Sequence, residues 1–336
     1  MNLQSTYSAS GTILVADDQV ANRELLEELL TSQGYRVITA ADGSEALQQL
    51  SEVPIDLVLL DVVMPHLSGF EACAKIKANP ETGLVPVVLV TALSDKQDRI
   101  EGIQAGADDF LSRPVDRTEL LARVRSLLNL KQRTDELERA ESVLFSLARS
   151  IEGKDPYTHG HCERLAEYSA ALGKHVGLSE DQIVALRRAG VVHDIGKIAI
   201  PDSIILKPSS LTPEEWKLMR EHPAIGERIC APLKSFRHVL PIIRHHHEKF
   251  DGSGYPDGLR GEEIPITARV LQAVDVYDAL TTIRPYKHAF SITDALQTMK
   301  SEVAQGWWDP QIFDKFETFI RSGTADFLSR GTAAGR

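Results

Sequence analysis

His193 and Asp194 stand side by side at the end of an apolar run, residues 189 to 198. On a helix such neighbours diverge by about 100°, which leaves one nitrogen and one oxygen donor near enough to serve one metal ion or two adjacent ones. Lys197 follows at i+3 from Asp194, on the same helical face, where a cation can meet a substrate anion whose other oxygens bind the metals. Further donors recur at His161, His222, His246, His247 and Asp275. A lone histidine of this kind is ordinarily a core or surface residue. The recurrence of several, together with the glycine-rich run AspGlySerGlyTyrPro at 251 to 256, points instead to a metal site assembled by a helical fold.

A second set of polar residues lies upstream. Asp17 and Asp18 follow one β-branched run, Asp61 ends another, Thr91 ends a third, and Arg113 follows a fourth. Strands are predicted at 12–16, 35–39, 55–60, 85–91 and 108–111, alternating with amphipathic helices. That alternation predicts an α/β doubly wound parallel sheet, which places its ligands at the carboxyl ends of the strands. Three carboxylates at one edge repel one another, and a hard cation such as Mg²⁺ would relieve the repulsion. Singly, each is also an ordinary cap or turn residue.

Between the two sets, residues 120 to 151 contain no glycine or proline. Leu120, Val124, Leu127, Thr134, Leu137, Leu144, Ala148 and Ile151 keep roughly a 3.5-residue spacing. This predicts a continuous helix that pairs with a second copy as a coiled coil, the alternative being a monomeric linker helix. Beyond Ile151 the pattern is all-α, with capping boxes from Ser179 to Gln182 and from Thr212 to Glu215. Asp309 and Pro310 open a further helix, and Trp307 and Trp308 are expected to pack in the core rather than stack on a base. The expected organisation is a flexible N-terminus at 1–10, an α/β domain at 11–130, a linker helix at 131–150, an all-α domain at 151–322 and a flexible tail at 323–336.

The chain has 336 residues and a net charge of −11. That excess argues against a nucleic-acid surface, so no DNA partner is expected, and an anionic substrate needs a local cluster of metals and basic residues. No apolar run reaches membrane-spanning length, and the first ten residues lack the regions of a signal peptide. Cys73, Cys162 and Cys230 are odd in number and far apart, which fits reduced thiols in a cytoplasmic protein. Cys162, although next to His161, points away from it on a helix and is expected to pack.

With AspValValMetPro at 61 to 65 and AspGlySerGluAla at 42 to 46, the first half resembles the receiver domain of two-component response regulators over about 120 residues. The resemblance implies a flavodoxin-like fold of five parallel strands. It also implies that Asp61 accepts a phosphoryl group from a cognate histidine kinase, that Asp17 and Asp18 hold Mg²⁺, that Thr91 senses the phosphoryl oxygen, and that Phe110 is the switch aromatic. Arg113 stands where the family has lysine, and its forked guanidinium is expected to weaken or alter phosphorylation and its coupling to the output.

The second half resembles the HD-GYP family, a branch of the HD metal-dependent phosphohydrolases, over residues 140 to 320. Six motifs occur in order: AspProTyrThrHisGlyHis (155 to 161), HisAspIleGlyLysIleAlaIleProAsp (193 to 202), LysProSerSerLeuThrProGluGluTrp (207 to 216), GluHisProAlaIleGly (221 to 226), HisHisGluLysPheAspGlySerGlyTyrPro (246 to 256) and AspValTyrAspAlaLeuThrThrIleArgProTyrLys (275 to 287). The resemblance implies hydrolysis of cyclic di-GMP to pGpG and onward to GMP in some members. His161, His193, Asp194, His222, His246, His247 and Asp275 would be ligands, Asp194 bridging two ions of iron, manganese, nickel or zinc. His245, offset from the glycine-rich loop, stays outside the set. Members with a third metal carry a glutamate where this chain has Tyr157, so two metals are expected. Asp194 and Lys197 would be catalytic, and Lys197, Arg284 and Lys287 would contact phosphates. The loop ending in Gly254, Tyr255 and Pro256 is a docking surface for partner domains in the family. Two other readings stand beside this one: an HD hydrolase of pGpG or another cyclic dinucleotide, and a site that binds ligand and docks proteins without turnover.

Overall fold

The computed structural model describes residues 11–91, 96–153, 160–282 and 289–323, with the backbone alone at 96–98. The chain divides into two compact units, Met1–Ala140 and Glu141–Arg336. The expected flexible segments at 1–10 and beyond 323 lie outside the described residues.

In the first unit β1 (Thr12–Ala16), α1 (Val20–Thr31), β2 (Arg36–Ala40), α2 (Gly43–Glu52), β3 (Leu57–Asp61), α3 (Gly69–Ala78), β4 (Val87–Thr91), α4 (Lys96–Gln104) and β5 (Asp109–Ser112) alternate. The strands pair in parallel in the order β2-β1-β3-β4-β5, so the doubly wound sheet expected from the sequence is present. Alternate side chains serve opposite faces. Leu14, Val58, Leu60, Val87 and Leu89 pack with Ala46, Cys73 and Ile76, while Ile13, Val15, Leu57, Leu59, Val88 and Val90 pack with Leu26, Leu30, Leu120 and Val124. Each buried aliphatic side chain contributes roughly 1.5–3 kcal/mol, and burial on both faces explains why these strands read as unbroken apolar runs. Four strands, β2 to β5, start one or two residues later than the apolar pattern suggests. The Asp56 and Asp108 carboxylates accept from Thr12 N and Val87 N at 2.7 Å, standing in for ladder carbonyls just before the strands begin.

Helix α5 (Arg117–Glu152) is one unbroken helix of 36 residues. Leu120 and Val124 near its start belong to the core of the first unit, and Leu144, Ala148 and Ile151 near its end to that of the second. Leu130 and Leu137, seven residues apart, are exposed between them.

The second unit contains α6 (His161–Val176), α7 (Glu180–Val192), α8 (Asp202–Ile205), α9 (Pro213–Met219), α10 (His222–Cys230), α11 (Leu240–His245), α12 (Ile266–Thr281), α13 (Ile292–Ala304) and α14 (Pro310–Arg321), with 3-10 turns at Ile195–Ala199, Lys234–Phe236 and Gly261–Glu263. No strand occurs here among the described residues. Ser179 and Thr212 start their helices with the expected capping boxes, and Asp309 caps α14. One core unites Leu165, Leu186, Val192, Ile195, Ile243, Leu271, Val274 and Phe316. Cys162 and Cys230 are buried in it, and burial pushes both thiols up, that of Cys230 to about 12. Trp307 and Trp308 are half-buried rather than core. The Lys249 ammonium sits 3.4 Å from the Trp307 ring centroid, and Trp308 Nε1 donates to Glu302. Among the described residues no helix is long and apolar enough to cross a membrane.

Candidate functional site

The helix ends carry most of the donors. His161 and His222 are the first residues of α6 and α10, His193 and His246 follow the last residues of α7 and α11, and Asp275 alone lies mid-helix, in α12. Their ligand atoms converge in two groups that share Asp194: one with His161 and His193, the other with His222, His246 and His247, the atoms of each within 4.8 Å of one another. Asp194 Oδ2 lies 3.3 Å from His193 Nε2, and Oδ1 lies 3.1 Å from His222 Nε2 and 3.9 Å from His246 Nε2. Asp275 Oδ1 is 3.5 Å from His161 Nε2. Thus all seven expected ligands are brought to one place, and a single carboxylate divides its oxygens between two clusters.

The placement at helix ends has a cause. The last carbonyls of a helix have no intrahelical partner. Gly190 O accepts from His193 Nδ1 at 3.1 Å and Ile243 O from His246 Nδ1 at 2.7 Å, while Met219 O accepts from His222 Nδ1 at 2.8 Å. A carbonyl only accepts, so each Nδ1 carries the proton and each Nε2 turns a lone pair inward. His222 Nε2 and His246 Nε2 then face each other at 3.3 Å, and Asp194 Oδ1, buried, accepts no hydrogen bond. Lone pairs aimed at lone pairs in a buried space repel unless a cation lies between them, so the donor set fits divalent ions of the borderline first row. Burial and the facing histidines hold His246 and His247 well below their usual range, in the neutral form that coordinates. Burial works against ionisation of Asp194, but the Lys197 ammonium beside it outweighs this and holds the carboxyl well below the usual range.

The sequence predicts His193, Asp194 and Lys197 on one helix. The structure corrects this. Helix α7 ends at Val192, Asp194 adopts φ −95° and ψ 6°, and a 3-10 turn follows. Lys197 still returns to Asp194, Nζ to Oδ2 at 2.5 Å, because a 3-10 turn also brings i and i+3 together. Gly196 permits the approach of α10: a Cβ there would meet His222 O at 1.9 Å.

Three residues at the site had no signal in the spacing of the metal donors. Asp278, one turn after Asp275, accepts from His161 Nδ1 at 2.7 Å and from Arg164 Nε at 2.6 Å. Burial opposes its ionisation, but these hydrogen bonds and charges overcome it and bring the carboxyl down to about 2. Glu248, fully buried, accepts from the backbone N–H of Asp257, Gly258 and Leu259 at 2.7, 3.1 and 3.1 Å, and so ties the glycine-rich loop to the histidine pair. Gln272 donates to Glu248 O at 2.6 Å and to His245 O at 3.1 Å. The loop lays the Tyr255 ring against His247, centroids 4.8 Å apart. His245 turns away to Pro241 O and Asp257, apart from the cluster. Arg284, Lys287 and Tyr157 lie outside the described residues.

In the first unit Asp17, Asp18 and Asp61 gather their carboxylates within 4.8 Å at the carboxyl ends of β1 and β3. Arg113 forms ion pairs with Asp17 and, at 2.9 Å, with Asp61. Burial raises the Asp61 carboxyl to about 6 against the pull of Arg113, with the charges of Asp17 and Asp18 adding to the rise. That uncompensated negative charge fits a hard divalent cation. Thr91 is buried at the end of β4, and Phe110 is half-buried on β5 with the Arg99 guanidinium 5.7 Å from its ring centroid.

Comparison with known proteins agrees with both units. Residues 13–125 match the response regulator receiver domain and residues 146–312 the HD domain. The chain is 35% identical over 325 residues to the cyclic di-GMP phosphodiesterase response regulator RpfG of Xanthomonas campestris pv. campestris, covering 90% of this chain and 86% of that one. It is 34% identical to a cyclic di-GMP phosphodiesterase of Thermotoga maritima, covering 91% and 89%. A 3'3'-cGAMP-specific phosphodiesterase of Vibrio cholerae is 36% identical over 52% of this chain and 37% of its own length.

Proposed function

The chain belongs to the family of response regulators that join a receiver to an HD-domain cyclic di-GMP phosphodiesterase, and from that premise we propose that its helical unit hydrolyses cyclic di-GMP to linear pGpG under control of the receiver. The observation that carries the reading is the division of Asp194 between two histidine groups, one carboxylate oxygen toward each.

His161, His193, Asp194 and Asp275 would hold one divalent ion, and Asp194, His222, His246 and His247 the other. When bound, iron, manganese, nickel or zinc ions supply Lewis acidity toward the phosphoryl oxygens and the attacking water. The residues of the chain do the rest. Backbone carbonyls keep His193, His222 and His246, and Asp278 keeps His161, in the coordinating tautomer. Lys197 neutralises charge that grows on the scissile phosphate as the bond to the 3'-oxygen lengthens. Arg284 and Lys287 would hold phosphate oxygens, the forked guanidinium two at once.

In the receiver, Asp61 is the acceptor for a phosphoryl group from a sensor histidine kinase, Asp17 and Asp18 hold Mg²⁺ beside it, Thr91 and Phe110 report its state, and Arg113 must leave its ion pairs to reach the phosphoryl oxygens. Exposed Leu130 and Leu137, heptad-spaced on α5, support a parallel homodimer. The loop around Tyr255 is the proposed docking surface for partner signalling domains. An intracellular nucleotide substrate and three unpaired cysteines favour the cytoplasm.

The similarity to a 3'3'-cGAMP-specific enzyme supports a second reading, another cyclic dinucleotide as the preferred substrate. Initial rates on cyclic di-GMP, 3'3'-cGAMP and pGpG, measured with metal-loaded full-length protein with and without a small phosphodonor, separate the two. The first reading expects cyclic di-GMP to be cut fastest. Turnover surviving in the double variant His193→Ala, Asp194→Ala would sink the catalytic assignment.

A further inference from the structure

We propose that Arg220 is a substrate contact that clamps the second phosphodiester of the cyclic dinucleotide, the one that is not cut; this deepens the functional reading above and rests on it. Arg220 ends α9, two residues before His222. Its guanidinium carbon lies 5.8 Å from the ring centroid of Trp216 and 5.4 Å from that of Tyr255, and the Tyr255 ring lies against His247. The side chain is exposed, and among the described residues no carboxylate or carbonyl accepts from its guanidinium.

Two aromatic rings within cation–π range hold a guanidinium without consuming its N–H groups. Those donors remain in the geometry that matches two oxygens of a phosphodiester. The background charge of −11 repels an anionic substrate, so a cation fixed at the rim of the site raises the local attraction. Position decides which phosphate it meets. Lys197 approaches the centre from the side of Asp194 Oδ2 and His193, whereas Arg220 stands on the side of His247, beyond Tyr255. A cyclic dinucleotide carries two phosphodiesters in one ring. With one on the metal centre beside Lys197, the other needs a separate cation, and Arg220 supplies it.

The test compares full-length, metal-loaded Arg220→Ala and Arg220→Lys with the parent on cyclic di-GMP and on bis(p-nitrophenyl) phosphate, a diester with a single phosphate. For Arg220→Ala the expected result is a rise of about tenfold or more in KM for cyclic di-GMP with a much smaller change in kcat, corresponding to loss of a charge-assisted hydrogen bond. The loss of kcat/KM should be at least about tenfold greater for cyclic di-GMP than for the single diester, with partial rescue in Arg220→Lys. Calorimetric binding of cyclic di-GMP reads the same contact apart from turnover, so a parent protein that binds but does not cut would overturn the functional reading and leave the contact measurable. Equal losses on both substrates, or a fall in bound metal, would mean that Arg220 only props Tyr255 against His247 and would overturn the inference. An unchanged KM and Kd for cyclic di-GMP would overturn it as well.

Discussion

Asp278 Oδ2 lies 2.7 Å from Nδ1 of His161, one turn along α12 from the proposed ligand Asp275, so one helix supplies both a candidate metal donor and the carboxylate that orients its neighbour. Arg164 completes the arrangement by holding both oxygens of Asp278, at 2.6 and 3.0 Å. Four residues of the site, His161 and Arg164 on α6 and Asp275 and Asp278 on α12, therefore depend on how these two helices pack.

Replacing Asp278 by alanine frees His161 to change tautomer and rotamer. Metal affinity or activity is expected to fall about 10- to 100-fold, as is usual when the partner of a coordinating imidazole is removed. Titration of bound metal, followed by turnover at saturating metal, checks this. Unchanged metal affinity would show that the contact is incidental.

Lys197 pairs with Asp194 at 2.5 Å and is near enough to the cluster to meet an anion there. Lys197→Ala should lower kcat by about 10²- to 10³-fold, the usual scale for a positioned electrostatic group, with bound metal retained. A kcat within threefold of the parent would remove Lys197 from the mechanism.

Glu248 accepts three backbone N–H groups of the glycine-rich loop from a fully buried position. Glu248→Ala leaves these donors unsatisfied and should cost about 3 kcal/mol in unfolding free energy, while releasing Tyr255 from His247. Denaturant unfolding measures the first effect and the KM for cyclic di-GMP the second. Parent-like values for both would refute the role.

Asp61 offers a pH test of the receiver. Its carboxyl is raised by burial from the ordinary 3.8 to about 6. A raised pKa means that the native state prefers the protonated form, so the stabilising contribution is complete below 3.8 and is lost as pH rises through about 6. At neutral pH the ionised carboxylate destabilises the metal-free receiver. Asp61→Asn should therefore raise the receiver's melting temperature at pH 7.5, by the equivalent of roughly 1–2 kcal/mol after the lost ion pair to Arg113 is discounted. The gain should shrink toward pH 4.5, and also when Mg²⁺ is added to the parent. A gain that is independent of pH would point to packing rather than charge.

Much of the candidate site was legible because metal donors form a narrow chemical set and sit in short runs. His193, Asp194, His246 and His247 are adjacent in pairs, and Asp61 stands at the end of an apolar strand. The local geometry was less legible. A helical spacing was expected for His193 through Lys197, but the histidine takes up a carbonyl that the end of α7 leaves unpaired, and the chain passes into a 3-10 turn. β3 and β5 start one or two residues later than their apolar runs suggest because the Asp56 and Asp108 side chains satisfy a neighbouring N–H as well as a ladder carbonyl does.

The sequence by itself determined the two architectures, the alternation of strand and helix and then helices alone, and the types of side chain that could meet a metal or a phosphate, since periodicity and donor chemistry are local properties. Only the tertiary structure decided that Asp194 faces two groups at once, that Asp278 orients His161 across 117 residues, that Glu248 anchors a loop rather than a metal, and that Arg220 lies within cation–π range of Tyr255 as well as Trp216. Asp194 to His222, Asp278 to His161 and Arg220 to Tyr255 are contacts between segments distant in the chain. They exist only once helices approach closely enough for buried polar groups to require partners.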